Sequence, residues 1–173
     1  MKRSLLCLLL LGSSAALAAD GSEIQIERGR QLFLHSSKGT ACSTCHALEG
    51  HGNAIGPDLT RLAKVAGPRG LVMTIEMTVT AFVQQITLRG GRTFPGIQKQ
   101  KDGDVLMIYD LSTIPAVLLK LKSGEVASMN SNSTWSHPPT SAGYTQEELA
   151  DIIAYLKFVS TGVAKGVTVE ELL

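Results

Sequence analysis

The pattern of apolar positions predicts an amphipathic helix shortly after the start of the chain. Ile26, Gly29 and Phe33 recur at intervals of three and four residues, which places them on one helical face. Ser22 and Gln25 have the spacing of a capping box at the beginning of this helix. Gly29 lies in the apolar stripe, where the absence of a side chain lets a second backbone approach closely.

A second helix is predicted near the end of the chain. Thr145 and Glu148 form another capping box, and Gly162 is a residue type that commonly ends a helix. Residues 163–173 contain no such periodicity and are predicted to form a loose tail. The apolar stripe of the helix consists of Leu149, Ile152, Ile153 and Leu156.

The middle of the chain has a different pattern. Residues 61–65 favour a short helix that ends at Gly67 and Pro68, and the β-branched residues up to 80 favour extended chain. Apolar and polar residues then alternate, and turn signals separate the alternating runs. We predict a small antiparallel β insert over about residues 82–122, with strands at 82–88, 93–98 and 105–109, and with residues 117–122 as either a further strand or a short extended crossing.

The first 18 residues have the features of a secretory signal peptide. Lys2 and Arg3 form the charged region, residues 5–11 the apolar region, and residues 16–18 an Ala-Leu-Ala cleavage site. The apolar run is too short for a transmembrane helix. We therefore expect an exported protein, periplasmic or otherwise extracytoplasmic, whose mature chain is one domain of residues 19–173 without a membrane span.

The charge of the mature chain excludes one class of partner. Two of the 16 lysines and arginines lie in the leader, so 14 basic residues remain against 15 acidic ones. A nucleic-acid-binding protein requires a clustered basic face, and none stands out in the sequence. We expect no nucleic-acid partner.

The sequence Cys42-Ser43-Thr44-Cys45-His46 carries the candidate chemistry. Two cysteines separated by two residues and followed directly by histidine have the spacing that attaches a c-type haem through two thioether bonds. Histidine is a common proximal ligand of haem iron. The motif predicts one covalent haem c held by Cys42 and Cys45, with His46 as the proximal iron ligand.

Three other interpretations of the same cysteines stay open. A bare Cys-x-x-Cys is found in thioredoxin-like redox pairs, in halves of zinc sites and in structural disulfides. A zinc site requires about four ligands, and Cys7, the one other cysteine, lies in the leader. The redox pair favours a βαβ context, whereas the segment before Cys42 is predicted to be helical.

The order of several motifs resembles that of the class I c-type cytochrome family. These motifs are residues 29–33 (Gly-Arg-Gln-Leu-Phe), 42–46, 56–59 (Gly-Pro-Asp-Leu) and 149–156. The resemblance implies a mostly α fold, a cytochrome c-like helical haem domain that here carries a small antiparallel β insertion. It also implies that the first and last helices cross, and that the Pro57 carbonyl accepts a hydrogen bond from the ring of His46, which fixes the ligand tautomer.

The second axial ligand is less well defined. The family places a Met-Pro pair shortly before the last helix, and His137-Pro138 occupies that place here. We favour His137 as the distal iron ligand, with Met129 as the alternative and a site without either ligand still open. Methionine raises the reduction potential of haem, and a second imidazole does not supply this increase.

The motifs together predict an electron-transfer protein and not an enzyme. No Ser/His/Asp set, carboxylate pair or phosphate-binding loop stands out. We expect the protein to pass single electrons between a redox protein donor and acceptor. The alternatives are a cytochrome subunit of a periplasmic dehydrogenase, which the family's behaviour suggests could be a quinoprotein, and a haem-based ligand sensor.

Overall fold

A computed structural model describes residues 20–36, 38–77, 82–137 and 143–173. The predicted signal peptide, residues 1–18, lies outside the described residues. The helices are α1 (Gly21–His35), α2 (Leu59–Val65), α3 (Pro68–Glu76) and α4 (Gln146–Thr161). Among the described residues, no helix has the length and hydropathy needed to cross a membrane.

The strands form two antiparallel sheets. A two-residue pair, β1 (Ala47–Leu48) and β2 (His51–Gly52), follows the cysteine motif. The second sheet has five strands in the order β6-β5-β4-β3-β7. Its strands are β3 (Gln84–Leu88), β4 (Thr93–Asp102), β5 (Val105–Asp110), β6 (Val117–Lys122) and β7 (Val126–Ser131).

The prediction of a mostly α haem domain with a small β insertion is wrong. The described chain is a mixed α/β structure in which the five-stranded sheet forms a hydrophobic cluster of its own. The sheet extends to Ser131, beyond the predicted limit of 122. Its buried side chains are Ile86, Phe94, Leu106 and Ile108, and Leu88, Leu119, Leu121, Val126 and Met129 pack around them.

The segment after α2 also differs from its prediction. Residues 68–76 form a helix although β-branched residues favoured extended chain. Gly67 adopts an extended conformation at the N-cap, and Pro68 occupies the first helical turn, where its fixed φ is suited to a helix. Burial of Leu71 and Val72 against the helical core outweighs the weak helix propensity of the segment.

The first and last helices pack against each other as predicted, and their buried faces are confirmed. Ile26, Gly29 and Phe33 are the buried residues of α1. The Thr145–Glu148 capping box begins α4, and Gly162 ends it in a left-handed conformation with φ of 72°. The cap of α1 differs, because the Asp20 carboxylate accepts from Ser22 N at 3.2 Å.

An ion pair between the exposed Arg28 and the buried Asp151 joins these helices. The Arg28 guanidinium donates two hydrogen bonds to the buried Asp151 carboxylate, from Nε at 2.7 Å and from Nη2 at 2.8 Å. The charge-assisted bond to Asp151 raises the pKa of Arg28 above its usual value. Two parallel bonds satisfy both carboxylate oxygens, which offsets the cost of burying the charge.

Gly29 is required at the crossing of α1 and α4. A Cβ atom at this position would lie 1.9 Å from the backbone oxygen of Asp151 and 2.9 Å from Cβ of Tyr155. We expect Gly29→Ala to lower the free energy of unfolding by at least about 3 kcal/mol, because the helices must separate. Urea unfolding measures the change.

Gly70→Ala is the matched control for that substitution. Gly70 is also helical, and its added Cβ would meet only Cβ of Ala66, at 3.7 Å. We expect this variant to be neutral or slightly more stable, since alanine favours helix by about 1 kcal/mol over glycine. Equal losses in the two variants would contradict the proposed close packing at Gly29.

Residues 163–173, expected from the sequence to be a loose tail, are held against α1. The Gln25 side chain donates to the Val167 carbonyl at 2.8 Å and accepts from Val167 N at 2.9 Å. Val167 and Leu172 are both buried in the helical cluster. A short 3-10 helix, Val169–Leu172, places Leu172 there.

Candidate haem-attachment site

The cysteine motif forms a tight turn between α1 and β1. Residues Cys42–Thr44 form a 3-10 helix, and the Cys42 carbonyl accepts from Cys45 N at 3.2 Å and from His46 N at 2.9 Å. Cys42 begins this 3-10 helix, and Cys45 directly follows it as the C-cap, so one short turn carries both cysteines.

A second loop wraps around the backbone of this turn. Asn53 N donates to the Ser43 carbonyl at 3.0 Å, and the amides of Ile55 and Gly56 donate to the Cys45 carbonyl at 3.1 and 2.7 Å. The Asn53 side chain donates to the Thr44 carbonyl at 3.3 Å. Sequence reasoning missed Asn53 and Ile55, because the contacts of both residues are to backbone carbonyls of the turn, which leave no signal in the residue types of the turn.

His46 is oriented by the carbonyl of Pro57. Nδ1 of His46 lies 2.8 Å from the Pro57 oxygen. A carbonyl oxygen only accepts, so Nδ1 carries the proton and Nε2 has a lone pair for a metal ion. This is the contact that the family resemblance implied for Pro57.

Gly56 packs against the face of the same ring. A Cβ atom at Gly56 would lie 2.8 Å from Cε1 of His46 and 3.3 Å from Nε2. Any larger residue would displace the imidazole. The sequence signal was the Gly-Pro pair, whose ordinary interpretation is a plain turn.

His137 lies beside His46 although 91 positions separate them in the sequence. The two ring centres are 5.9 Å apart, and the ring planes are inclined at 36°. An imidazole nitrogen binds a transition metal at about 2 Å and lies about 1.2 Å from its ring centre, so two imidazoles on opposite sides of one ion have centres about 6.4 Å apart. The observed spacing of 5.9 Å is close to this value.

Trp135 contacts His137 edge to face. Their ring centres are 6.2 Å apart, and the planes are inclined at 88°. The Asn132 side-chain oxygen accepts from Thr134 N at 3.0 Å and from Trp135 N at 2.8 Å, which fixes the backbone that leads from β7 to His137. Asn132 is buried and was missed in the sequence.

Met129, the alternative distal ligand, occupies a different part of the molecule. It lies on β7, opposite Ile86 of β3, and packs against the hydrophobic cluster of the five-stranded sheet. The structure brings His46 and His137 together and gives Met129 a packing role.

The cysteines are free thiols in an environment that disfavours ionisation. No disulfide joins Cys42 and Cys45. Burial raises the pKa of the Cys42 thiol to about 11 and raises that of Cys45 as well. A reactive dithiol requires a lowered pKa, and the direction of both shifts is the opposite.

A zinc site also fits the donor set poorly. Among the described residues, no three His, Cys, Asp or Glu side chains converge in a geometry that would hold a metal ion. Zinc requires about four protein ligands, whereas haem supplies four nitrogens itself and requires only axial ligands from the chain. The pair His46 and His137 is sufficient for haem.

Comparison with known protein families and with curated proteins finds no match to this chain. The resemblance to class I c-type cytochromes is therefore not a family assignment, and the identification made from the motifs is wrong. The mixed α/β fold with its five-stranded antiparallel sheet differs from the helical domain that the resemblance implied. The haem hypothesis depends on the site residues alone.

The residues present nevertheless fit a covalently attached haem. Cys42 and Cys45 would form the thioether bonds, each thiol S–H adding across one vinyl double bond of the porphyrin. His46 and His137 would supply the axial nitrogens. Pro57 would hold the proximal imidazole in the required tautomer through the 2.8 Å hydrogen bond.

Proposed function

We propose that this chain is an exported electron-transfer protein that carries one covalently attached haem c. One observation carries the proposal: the ring of His46, which directly follows the Cys42–Cys45 pair in the sequence, has its centre 5.9 Å from that of His137. Cys42 and Cys45 attach the haem, and His46 and His137 are its axial ligands.

The haem supplies reversible one-electron chemistry at its iron. The chain supplies axial ligands from two distant segments, and both segments are braced. Hydrogen bonds to the Cys45 carbonyl hold the proximal turn, and the Asn132 side chain holds the distal segment. Ligand positions that do not move between oxidation states favour electron transfer over catalysis.

Two protein ligands also distinguish this proposal from a haem-based sensor. A sensor requires a vacant or easily displaced axial position, whereas the ring centre of His137 lies 5.9 Å from that of His46, which supports a second histidine ligand. The proposed partners are a donor and an acceptor redox protein. The proposed location, outside the cytoplasm, rests on the predicted leader and on the setting in which thioether-linked haem is assembled.

The experiment that tests the function is a spectroelectrochemical titration of the purified protein. The chain is expressed with its leader and with haem-attachment machinery. We expect a haem that stays on the polypeptide after denaturation and a single reversible transition with a one-electron Nernst slope. Absence of attached haem, or rapid carbon monoxide binding to the reduced wild-type protein, would contradict an electron carrier with two histidine ligands.

A further inference from the structure

One face of the five-stranded sheet combines lysines with partly exposed apolar side chains. In the pairing of β5 with β6, Met107 lies opposite Lys120, Tyr109 opposite Leu118, and Val105 opposite Lys122. Residues paired across strands share a face, and this face is opposite to the one that contains Leu106 and Ile108. We call it the lysine face; it consists of Lys99, Val105, Met107, Tyr109, Leu118, Lys120 and Lys122.

Lys99 belongs to this face through its contact with Tyr109. Its Nζ donates to the Tyr109 hydroxyl at 3.1 Å and lies 5.3 Å from the centre of the ring. A register shift in β4 between Gln98 and Gln100 places Lys99 there. Asp102, which pairs with Val105 at the tip of the sheet, is the acidic residue on the same face of β4.

The charge of the chain is divided between its two structural parts. Described residues 82–131 contain six basic and four acidic residues, a net charge of +2, whereas the described residues outside this segment contain eight basic and eleven acidic residues, a net charge of −3. Asp110, one of the four acidic residues, is buried and paired with Arg92. The lysine face, with Lys99, Lys120 and Lys122, thus belongs to the part of the chain that has a positive net charge.

The lysine face adjoins the haem-attachment turn. A cleft of about 380 Å³ is lined by residues of both parts. From the attachment turn and the wrapping loop these are Thr44, Asn53 and Ile55. From the sheet they are Lys99 and Tyr109. A protein that covers this face would therefore also lie over the turn that carries Cys42 and Cys45.

We infer that the lysine face is the docking surface for an acidic surface of a redox partner protein. This inference rests on the proposed electron-transfer function and adds the chemistry of the partner to it. Opposite charges steer the encounter and orient the complex, and the exposed apolar groups contribute contact area once the surfaces meet. Leu118 and Val105, at 37% and 39% exposure, are available for that contact.

The test uses poly-L-glutamate as a probe of acidic protein surfaces, with the haem-loaded full chain. The triple variant Lys99→Gln, Lys120→Gln, Lys122→Gln is expected to bind the probe at least about fivefold more weakly than wild type at low ionic strength. The matched control removes three exposed cations from the helical part: Arg61→Gln, Lys64→Gln, Arg69→Gln. The control is expected to retain most of the affinity.

Two results would overturn the inference. One is an equal loss of binding in both triple variants, because net charge alone would then explain the affinity. The other is a result in which binding of phosphatidylglycerol vesicles depends on the three lysines and binding of poly-L-glutamate does not depend on them. That result would indicate that the face binds a membrane surface. Circular dichroism verifies that both variants are folded.

A second readout separates this inference from the proposed function. Hexacyanoferrate(III), an anionic oxidant, accepts one electron from the reduced protein and becomes hexacyanoferrate(II), while the protein changes from ferrous to ferric and no proton is transferred. The lysine-face variant is expected to react about tenfold more slowly at low ionic strength, and the difference is expected to vanish at high salt. Absence of haem would contradict the proposed function, whereas unchanged binding and rates would contradict the docking surface alone.

Discussion

Replacing Cys42 and Cys45 together by serine is expected to abolish covalent haem attachment. The serine hydroxyl is somewhat smaller than the thiol that it replaces, and it does not form a thioether with a vinyl group. Cys42 begins the 3-10 helix and Cys45 caps it, and the hydrogen bonds of this turn join backbone groups and do not involve the thiols. The measurement is mass spectrometry of the denatured chain together with haem staining after gel electrophoresis.

The two residues between the cysteines provide the matched control. Ser43→Ala and Thr44→Ala change the same turn without removing a thiol, and we expect normal attachment in both. Single Cys42→Ser and Cys45→Ser variants are expected to yield less protein, with haem held by one bond. Haem that stays on the denatured double variant would contradict the assignment of these thiols.

Local features of the site could be predicted because each lies within a few residues of sequence. The spacing of Cys42, Cys45 and His46 defines the candidate chemistry, and the Gly-Pro pair next to them forms the loop that contacts His46. The periodicity of α1 and α4 likewise identified their buried faces. Each of these predictions depends only on the sequence of a single helix or a single turn.

The architecture could not be predicted, because it depends on contacts between distant segments. The other strands of the large sheet are indicated by alternating or continuous apolar runs between turn signals, but β7 has the sequence Val-Ala-Ser-Met-Asn-Ser, in which apolar and polar residues do not alternate. β7 is a strand because β3 offers it a free edge, with Gln84 opposite Ser131 and Ile86 opposite Met129. Because the sequence does not indicate β7, the strands before it are predicted from the sequence as an insertion into a helical domain.

The distal part of the site shows the same limit. His137 was favoured for its place in a resemblance that the fold does not support, yet its ring lies next to His46. Asn132 positions the segment that leads to His137. Its side chain also donates a hydrogen bond to the Gln85 side chain at 3.0 Å, which joins this segment to β3. No pattern within residues 132–137 indicates that contact.

His137→Ala is expected to convert the protein from a carrier with two histidine ligands into one with an open axial position. The reduced variant should bind carbon monoxide, because the imidazole that lies 5.9 Å from the His46 ring has been removed. Its oxidised spectrum should change from low spin toward high spin. Visible absorption with and without carbon monoxide measures both effects.

Met129→Leu is the control that separates the two candidate ligands. Leucine has nearly the volume of methionine, so the cluster around Ile86 and Phe94 should tolerate it at a cost below about 1.5 kcal/mol. We expect the spectrum and the reduction potential of this variant to equal those of wild type. A loss of the wild-type axial ligand in Met129→Leu, with no change in His137→Ala, would assign the distal position to Met129.

His137→Met tests the effect of the ligand on potential. A thioether in place of the second imidazole stabilises the reduced iron, so the potential should rise by on the order of 0.1 V, within the range of about 0.8 V that axial ligands span. The direction is informative because a structural role for His137 would predict lost haem or lost stability and no defined shift. A lower potential, or an unchanged one with unchanged spectra, would show that His137 does not ligate the iron.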